Sequence, residues 1–143
     1  MASKAALTDQ VFSEFRRVIA NVVLYNDHVA QQTGISASES QFMHLLVLNG
    51  PMSPGELAAQ TGLTSGTVTG VLDRLEKLAF VRRDRHPTDR RKVVVVLDEA
   101  KVAATMGEFY AEQGQHLGSV IDGFTATELA TVLRFLTALT ERA

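Results

Sequence analysis

The side chains of this sequence best equipped for chemistry are arginines and hydroxyls. Across residues 82–92 stand Arg82, Arg83, Arg85, Arg90, Arg91 and Lys92, opposed only by Asp84 and Asp89. The whole chain nevertheless carries a net charge of −2, so the remainder is acid-rich. Positive charge confined to one short element is suited to gripping a polyanion locally, and arginine in particular suits a narrow, electronegative groove. A short distance upstream, Ser65, Thr67, Thr69 and Gly70 form an unbulky, hydroxyl-bearing run that ends at Arg74. Such hydroxyls donate to phosphate oxygens or base edges, and the combination reads as a surface for nucleic acid.

Other chemistries are poorly represented. The histidines at 28, 44, 86 and 116 are scattered, with no pair at metal-ligand spacing on one helix. No nucleophile motif, phosphate loop or paired-carboxylate arrangement is present, and serines and threonines cluster at helix starts, where capping explains them. Cysteine is absent, which excludes disulfides, thiolate metal sites and thiol-based redox sensing. The chain is therefore read as a non-enzyme without metal or cofactor. With 143 residues it is long enough for one domain with a proper core. No apolar run reaches the ~18 residues of a membrane span and no secretory signal opens the sequence, so a cytoplasmic location is expected.

The elements that must position these groups follow from periodicity and capping. Val68, Val71, Leu72, Leu75 and Leu78 recur at helical spacing, which leaves Thr67, Thr69, Gly70 and Arg74 on the opposite face. Thr64 caps this helix. Ser53, Pro54 and Glu56 start a shorter one before it, which stops at Gly62. Helix, tight glycine turn and second helix make a helix-turn-helix. Phe80, Val81, Arg82 and Arg83 then read as a strand, residues 84–92 as a projecting loop and residues 93–97 as a second strand, giving a basic hairpin or wing.

Long helices flank this unit. Residues 8–33 read as one helix ending at Gly34, with Val11, Phe12, Phe15, Val18, Ile19, Val22, Val23 and Val29 in a stripe too wide for one neighbour. The next helix has two overlapping caps, Ser36 with Glu39 and Ser38 with Gln41, and Ser38 is favoured. Asp98 caps a helix interrupted by Gly107, Gly114 and Gly118 and ended by Gly123. Gly114 and Gly118, four apart, mark either close helix approach or a bend. Thr125 and Glu128 cap a last helix with Leu129, Val132, Leu133, Leu136 and Leu139 inward.

In its order of pieces the chain resembles the MarR family of bacterial winged helix-turn-helix transcription regulators. The resemblance rests on Thr67, Val68, Thr69, Asp73, Arg74, Leu75 and Glu76 in the helix, Asp89, Arg90 and Arg91 in the wing, and the hydrophobic strand after it. It implies a mainly α fold with a small β-hairpin over residues 1–143. Residues 36–97 would form the winged helix-turn-helix, and residues 1–35 and 98–143 the helices of a homodimer. The function implied is sequence-specific binding of a palindromic double-stranded operator, most simply by a dimeric repressor released by a small aromatic or phenolic effector. DNA contacts would come from Ser65, Thr67, Thr69, Gly70, Arg74, Arg85, Arg90 and Arg91, with Arg91 the first choice for the minor groove. Asp89 would orient the wing. Arg74 would either reach DNA or pair with Asp73 or Glu76. Effector contacts would be sought among Arg16, Arg17, Tyr25, His28, His44 and Tyr110. Two departures stand out: Gly70 where the family often has arginine, and Ala79 where a turn glycine is frequent. The rival reading is a winged helix used only for protein–protein contact.

Overall fold

The computed structural model describes residues 1–141, so the last two positions of the expected segment 98–143 lie outside the described residues. In chain order the elements are α1 (Lys4–Thr33), α2 (Ala37–Asn49), α3 (Pro54–Thr61), α4 (Ser65–Lys77), β1 (Val81–Arg85), β2 (Val93–Leu97), α5 (Glu99–Ile121) and α6 (Ala126–Thr140). They form two compact units, Met1–Thr105 and Met106–Ala143, with α5 running from one into the other. The mainly α fold with one antiparallel hairpin is as expected. No helix among the described residues is long and apolar enough to cross a membrane.

Within the first unit the core is built by α2, α3, α4 and the hairpin. Phe42, Met43 and Leu46 of α2, Leu57 of α3, and Val68, Leu72 and Leu75 of α4 are all buried. They are joined by Phe80, Val81, Val94 and Val95. Each such large side chain contributes roughly 1.5–3 kcal/mol through burial. Phe42, Leu57 and Leu75 have no measurable exposure, so truncating any of them would open a cavity. The hairpin pairs Val81 with Leu97 through to Arg85 with Val93. Met52, in the link before α3, adds a bridge by exchanging backbone hydrogen bonds with Val95 at 3.2 and 2.7 Å. That bridge stitches the base of the wing to the α2–α3 connection.

Several local expectations are corrected. The first helix begins at Lys4 rather than residue 8, because Ser3 caps it by accepting from the Ala6 N–H. Ser36, not Ser38, caps α2: its hydroxyl accepts from Glu39 N while the Glu39 carboxylate accepts from Ser36 N, closing both arms of the box. The first strand extends to Arg85, which shortens the expected loop to residues 86–92. Gly107, Gly114 and Gly118 do not interrupt α5, and a Cβ at any of them would meet nothing within 4 Å. Among the described residues there is no close approach at Gly114 or Gly118. The helix ends at Ile121, two residues before Gly123.

The terminal helices differ most from expectation. None of the α6 residues is buried, although Leu133, Leu136 and Leu139 lie on its apolar positions. In α1 only Val29 is buried, while Phe12 is 64% exposed and Val18 55%. Periodicity placed these residues on an apolar stripe, and among the described residues these side chains stay exposed.

Candidate nucleic-acid interface

The approach to α4 is set by short-range chemistry. Gly62 ends α3 with φ +73°, a conformation natural to glycine, and its N–H returns to the Ala58 carbonyl at 2.9 Å. Thr64 then caps α4, its Oγ1 accepting from Thr67 N at 3.2 Å and donating to Thr67 Oγ1 at 3.0 Å. This arrangement uses a Thr67 lone pair and leaves its hydroxyl proton to donate outward. Thr69 is spent differently. Its hydroxyl donates to the Ser65 carbonyl at 2.9 Å, so toward a ligand it offers only an acceptor. Ser65, Thr67, Thr69 and Gly70 are all exposed, and open space surrounds the Gly70 Cα. These side chains share an exposed face, on which Thr67 keeps a hydroxyl proton to donate outward.

Arg74 departs from the second reading made of it, the pairing with Asp73 or Glu76. It pairs with neither Asp73 nor Glu76, but turns back to the α1–α2 corner. There its Nε meets the carboxylate of Glu39, and its Nη2 donates to the Gly34 carbonyl at 3.0 Å. Asp73 and Glu76 are instead the partners of Arg83 on β1, through Asp73 Oδ1 at 2.9 Å and a second contact to Glu76 Oε2. Burial alone would lower the Arg83 pKa, but the bonds to Asp73 and Glu76 outweigh it and raise the value. Arg83 thus faces inward as a strut between wing and α4. Arg82, on the other side of the strand, bonds to Asp84 at 2.9 Å.

At the tip, Asp89 Oδ1 accepts from the Arg91 N–H at 3.1 Å and lies 3.5 Å from Arg91 Nε. Asp89 thus pairs with a nearby arginine, Arg91, two residues on. Arg85 lies in the strand rather than the loop, and its Nη1 donates to the Arg90 carbonyl at 2.8 Å. The Arg91 side chain remains 94% exposed. Arg90 is exposed as well, and among the described residues no ion pair engages its guanidinium.

The effector candidates fall in both units, five on α1 and α2 and Tyr110 on α5. Arg17 is paired with Glu14 at 3.2 Å on the surface of α1, and Arg16 is exposed beside it. Tyr25 is half-buried and His28 exposed. Tyr110, in the second unit, directs its hydroxyl to Met106 Sδ at 3.8 Å. His44 lines a concavity of about 370 Å³ shared with Asn26, Ala37, Ser40, Gln41 and Leu45. No cluster of three or more potential metal ligands occurs among the described residues.

Sequence reasoning missed three participants. Glu39 was seen only as one of two possible caps, and its long-range partner had no sequence signal. Arg83 was seen only as a member of the basic run over residues 82–92 and of the strand that opens the hairpin. His86 was one of four scattered histidines, although its place before Pro87, Thr88 and Asp89 marks a turn.

The family model described as MarR family matches residues 35–93. The chain is 38% identical over 94 residues to the uncharacterized HTH-type transcriptional regulator YcgE of Bacillus subtilis, covering 66% of this chain but 61% of YcgE, under two thirds of that protein's length. It is 31% identical over 123 residues to the HTH-type transcriptional repressor YetL of the same organism, covering 81% of this chain and 72% of YetL. In structure it resembles Streptococcus pneumoniae FabT in complex with DNA, with a TM-score of 0.68, 22% identity and coverage of 92% and 94% of the two chains.

Proposed function

This chain belongs to the MarR family, and from that premise we propose that it is a sequence-specific DNA-binding transcription regulator acting as a homodimer. The observation that carries the reading is the pairing of two outward surfaces braced by Arg83. One is the exposed N-terminal face of α4, with Thr67 as donor. The other is a wing whose tip arginines are exposed. In the proposed complex α4 enters the major groove, and the free N–H groups at its start favour a phosphate. Arg90 and Arg91 reach the adjacent minor groove, where arginine meets enhanced negative potential. Arg74 contributes from behind by fixing the position of α4.

Residues 1–35 and 98–143 supply the dimer interface and residues 36–97 the winged helix-turn-helix. Support comes from the uncovered apolar positions of α1 and α6, Phe12 and Leu133 among them. Two-fold symmetry then calls for a palindromic operator with half-sites about one helical turn apart. Repression, the activity named for YetL, and release by a small aromatic or phenolic acid complete the proposal. The concavity beside His44 is the place to look for such a compound.

A gel shift with the DNA upstream of the protein's own gene, repeated across salt and against random DNA, tests the central claim. The expected result is operator binding that exceeds random binding and weakens steeply with salt. If neither DNA binds even at low salt, the winged helix serves protein–protein contact instead. For the effector, a compound that raises the melting temperature should also release the operator.

A further inference from the structure

The hairpin must reverse over residues 86–92, which takes several backbone N–H groups out of the strand ladder. An N–H without an acceptor is costly wherever water is excluded, so the loop needs local partners. Two side chains supply them. Asp89 Oδ1 takes the Arg91 N–H at 3.1 Å. His86 Nδ1 takes the N–H groups of both Thr88 and Asp89, each at 3.2 Å, with the Thr88 hydroxyl 3.1 Å away. The His86 backbone N–H donates to the Lys92 carbonyl at 2.9 Å, which anchors the ring where the loop opens.

Two N–H donors converging on one ring nitrogen fix its chemistry. A protonated nitrogen has no lone pair to offer, so Nδ1 is bare and the neutral ring carries its proton on Nε2. We propose that His86, in this single tautomer, is the positioning residue of the wing. Its ring holds the Asp89 backbone, the Asp89 carboxylate holds Arg91, and the tip arginines are delivered in one orientation. Only the last link, from wing geometry to DNA affinity, rests on the DNA-binding reading.

Asparagine separates the acceptor from the ring. Its side-chain oxygen reaches the N–H two residues on, as in an Asx turn, whereas alanine offers nothing. On the free protein, nitrogen NMR of the His86 ring should find Nδ1 unprotonated and Nε2 protonated at neutral pH. His86→Ala should shift the amide signals of Thr88, Asp89 and Arg91 and speed their hydrogen exchange, leaving those of α4 in place. His86→Asn should restore the Thr88 signal. With operator DNA, His86→Ala should weaken binding by about five- to tenfold, the worth of one or two lost hydrogen bonds. His86→Asn should recover most of that, and adding Arg91→Ala to His86→Ala should cost less than it does alone.

A proton on Nδ1, or wing amides unmoved in His86→Ala, overturns the proposal. So does a His86→Ala variant with altered wing amides that binds operator as tightly as wild type. If the wild-type protein binds no DNA while the amides respond as described, the DNA-binding reading fails and the wing latch stands.

Discussion

The guanidinium of Arg74, on the helix with the candidate reading face, is held by the buried carboxylate of Glu39 at the start of α2. Glu39 is only 4% exposed, and its other oxygen accepts the Ser36 N–H at 3.0 Å. One carboxylate therefore closes the α2 capping box and anchors α4, while Arg74 also bonds the Gly34 carbonyl. A buried carboxylate is tolerated when it is paired and hydrogen-bonded in this way. The angle of α4 is thereby tied to the α1–α2 corner.

Arg74→Ala should then destabilise the fold, by roughly 1–3 kcal/mol, because it strands Glu39 without its cation. Arg74→Lys should rescue only part of this, since an ammonium cannot span both acceptors with a rigid fork. Urea unfolding midpoints measure the effect. Unchanged stability with weaker operator binding would make Arg74 a DNA contact rather than a clamp.

The wing and α4 should separate affinity from sequence preference. Arg91→Ala is expected to weaken operator and random DNA alike and to lower the slope of log K against log salt by ~0.9. Thr67→Ala should cost operator binding more than random binding, on the order of 1–3 kcal/mol for a base contact. Thermal melts of both variants should match wild type, since both side chains are exposed. A salt titration of each variant on both DNAs decides the matter.

Ala79 adopts φ +65° in the turn after α4, a region that costs a non-glycine residue roughly 1–2 kcal/mol. Replacing it with glycine should stabilise the protein by ~0.5–1 kcal/mol after allowing for the greater freedom of the unfolded chain. Gly62→Ala is the opposite case. Open space surrounds that Cα, yet its φ of +73° would strain an alanine, so stability should fall. Denaturant unfolding of the two variants should give shifts of opposite sign.

Acid should loosen the start of α6. The Thr125 backbone N–H donates to the Glu128 carboxylate at 2.9 Å and, with a further bond to the Thr125 side chain, holds its pKa below the ordinary glutamate value. A folded pKa below the unfolded one makes this contribution complete above about pH 4.3 and lost as pH falls through the folded value. Glu128→Gln should therefore differ from wild type in helix content at neutral pH and converge on it as pH falls through the folded value. Circular dichroism across that range provides the check.

What could be read from the sequence was chemistry completed within a few residues. The Ser53, Thr64 and Thr125 caps, the Gly34 and Gly62 stops and the strand of residues 93–97 needed only short spacings and side-chain periodicity, and all stand as expected. Even the strain at Ala79 was visible, because a turn that wants glycine had received alanine. The choice between Ser36 and Ser38 was not local. Both had a box partner in sequence, and Ser36 is used with Glu39, whose carboxylate is also spoken for by Arg74 across the fold.

Tertiary structure alone decided which charges meet. Arg74 passes over its own neighbours for Gly34, forty residues away, and Arg83 collects Asp73 and Glu76 from another element. Nothing in a charge pattern states these pairings, because they depend on how α4 crosses α2 and where β1 begins. Periodicity likewise marked the stripes on α1 and α6 as apolar without saying what covers them. An amphipathic pattern records that a face avoids water, whereas the surface that shields it is a property of assembled elements.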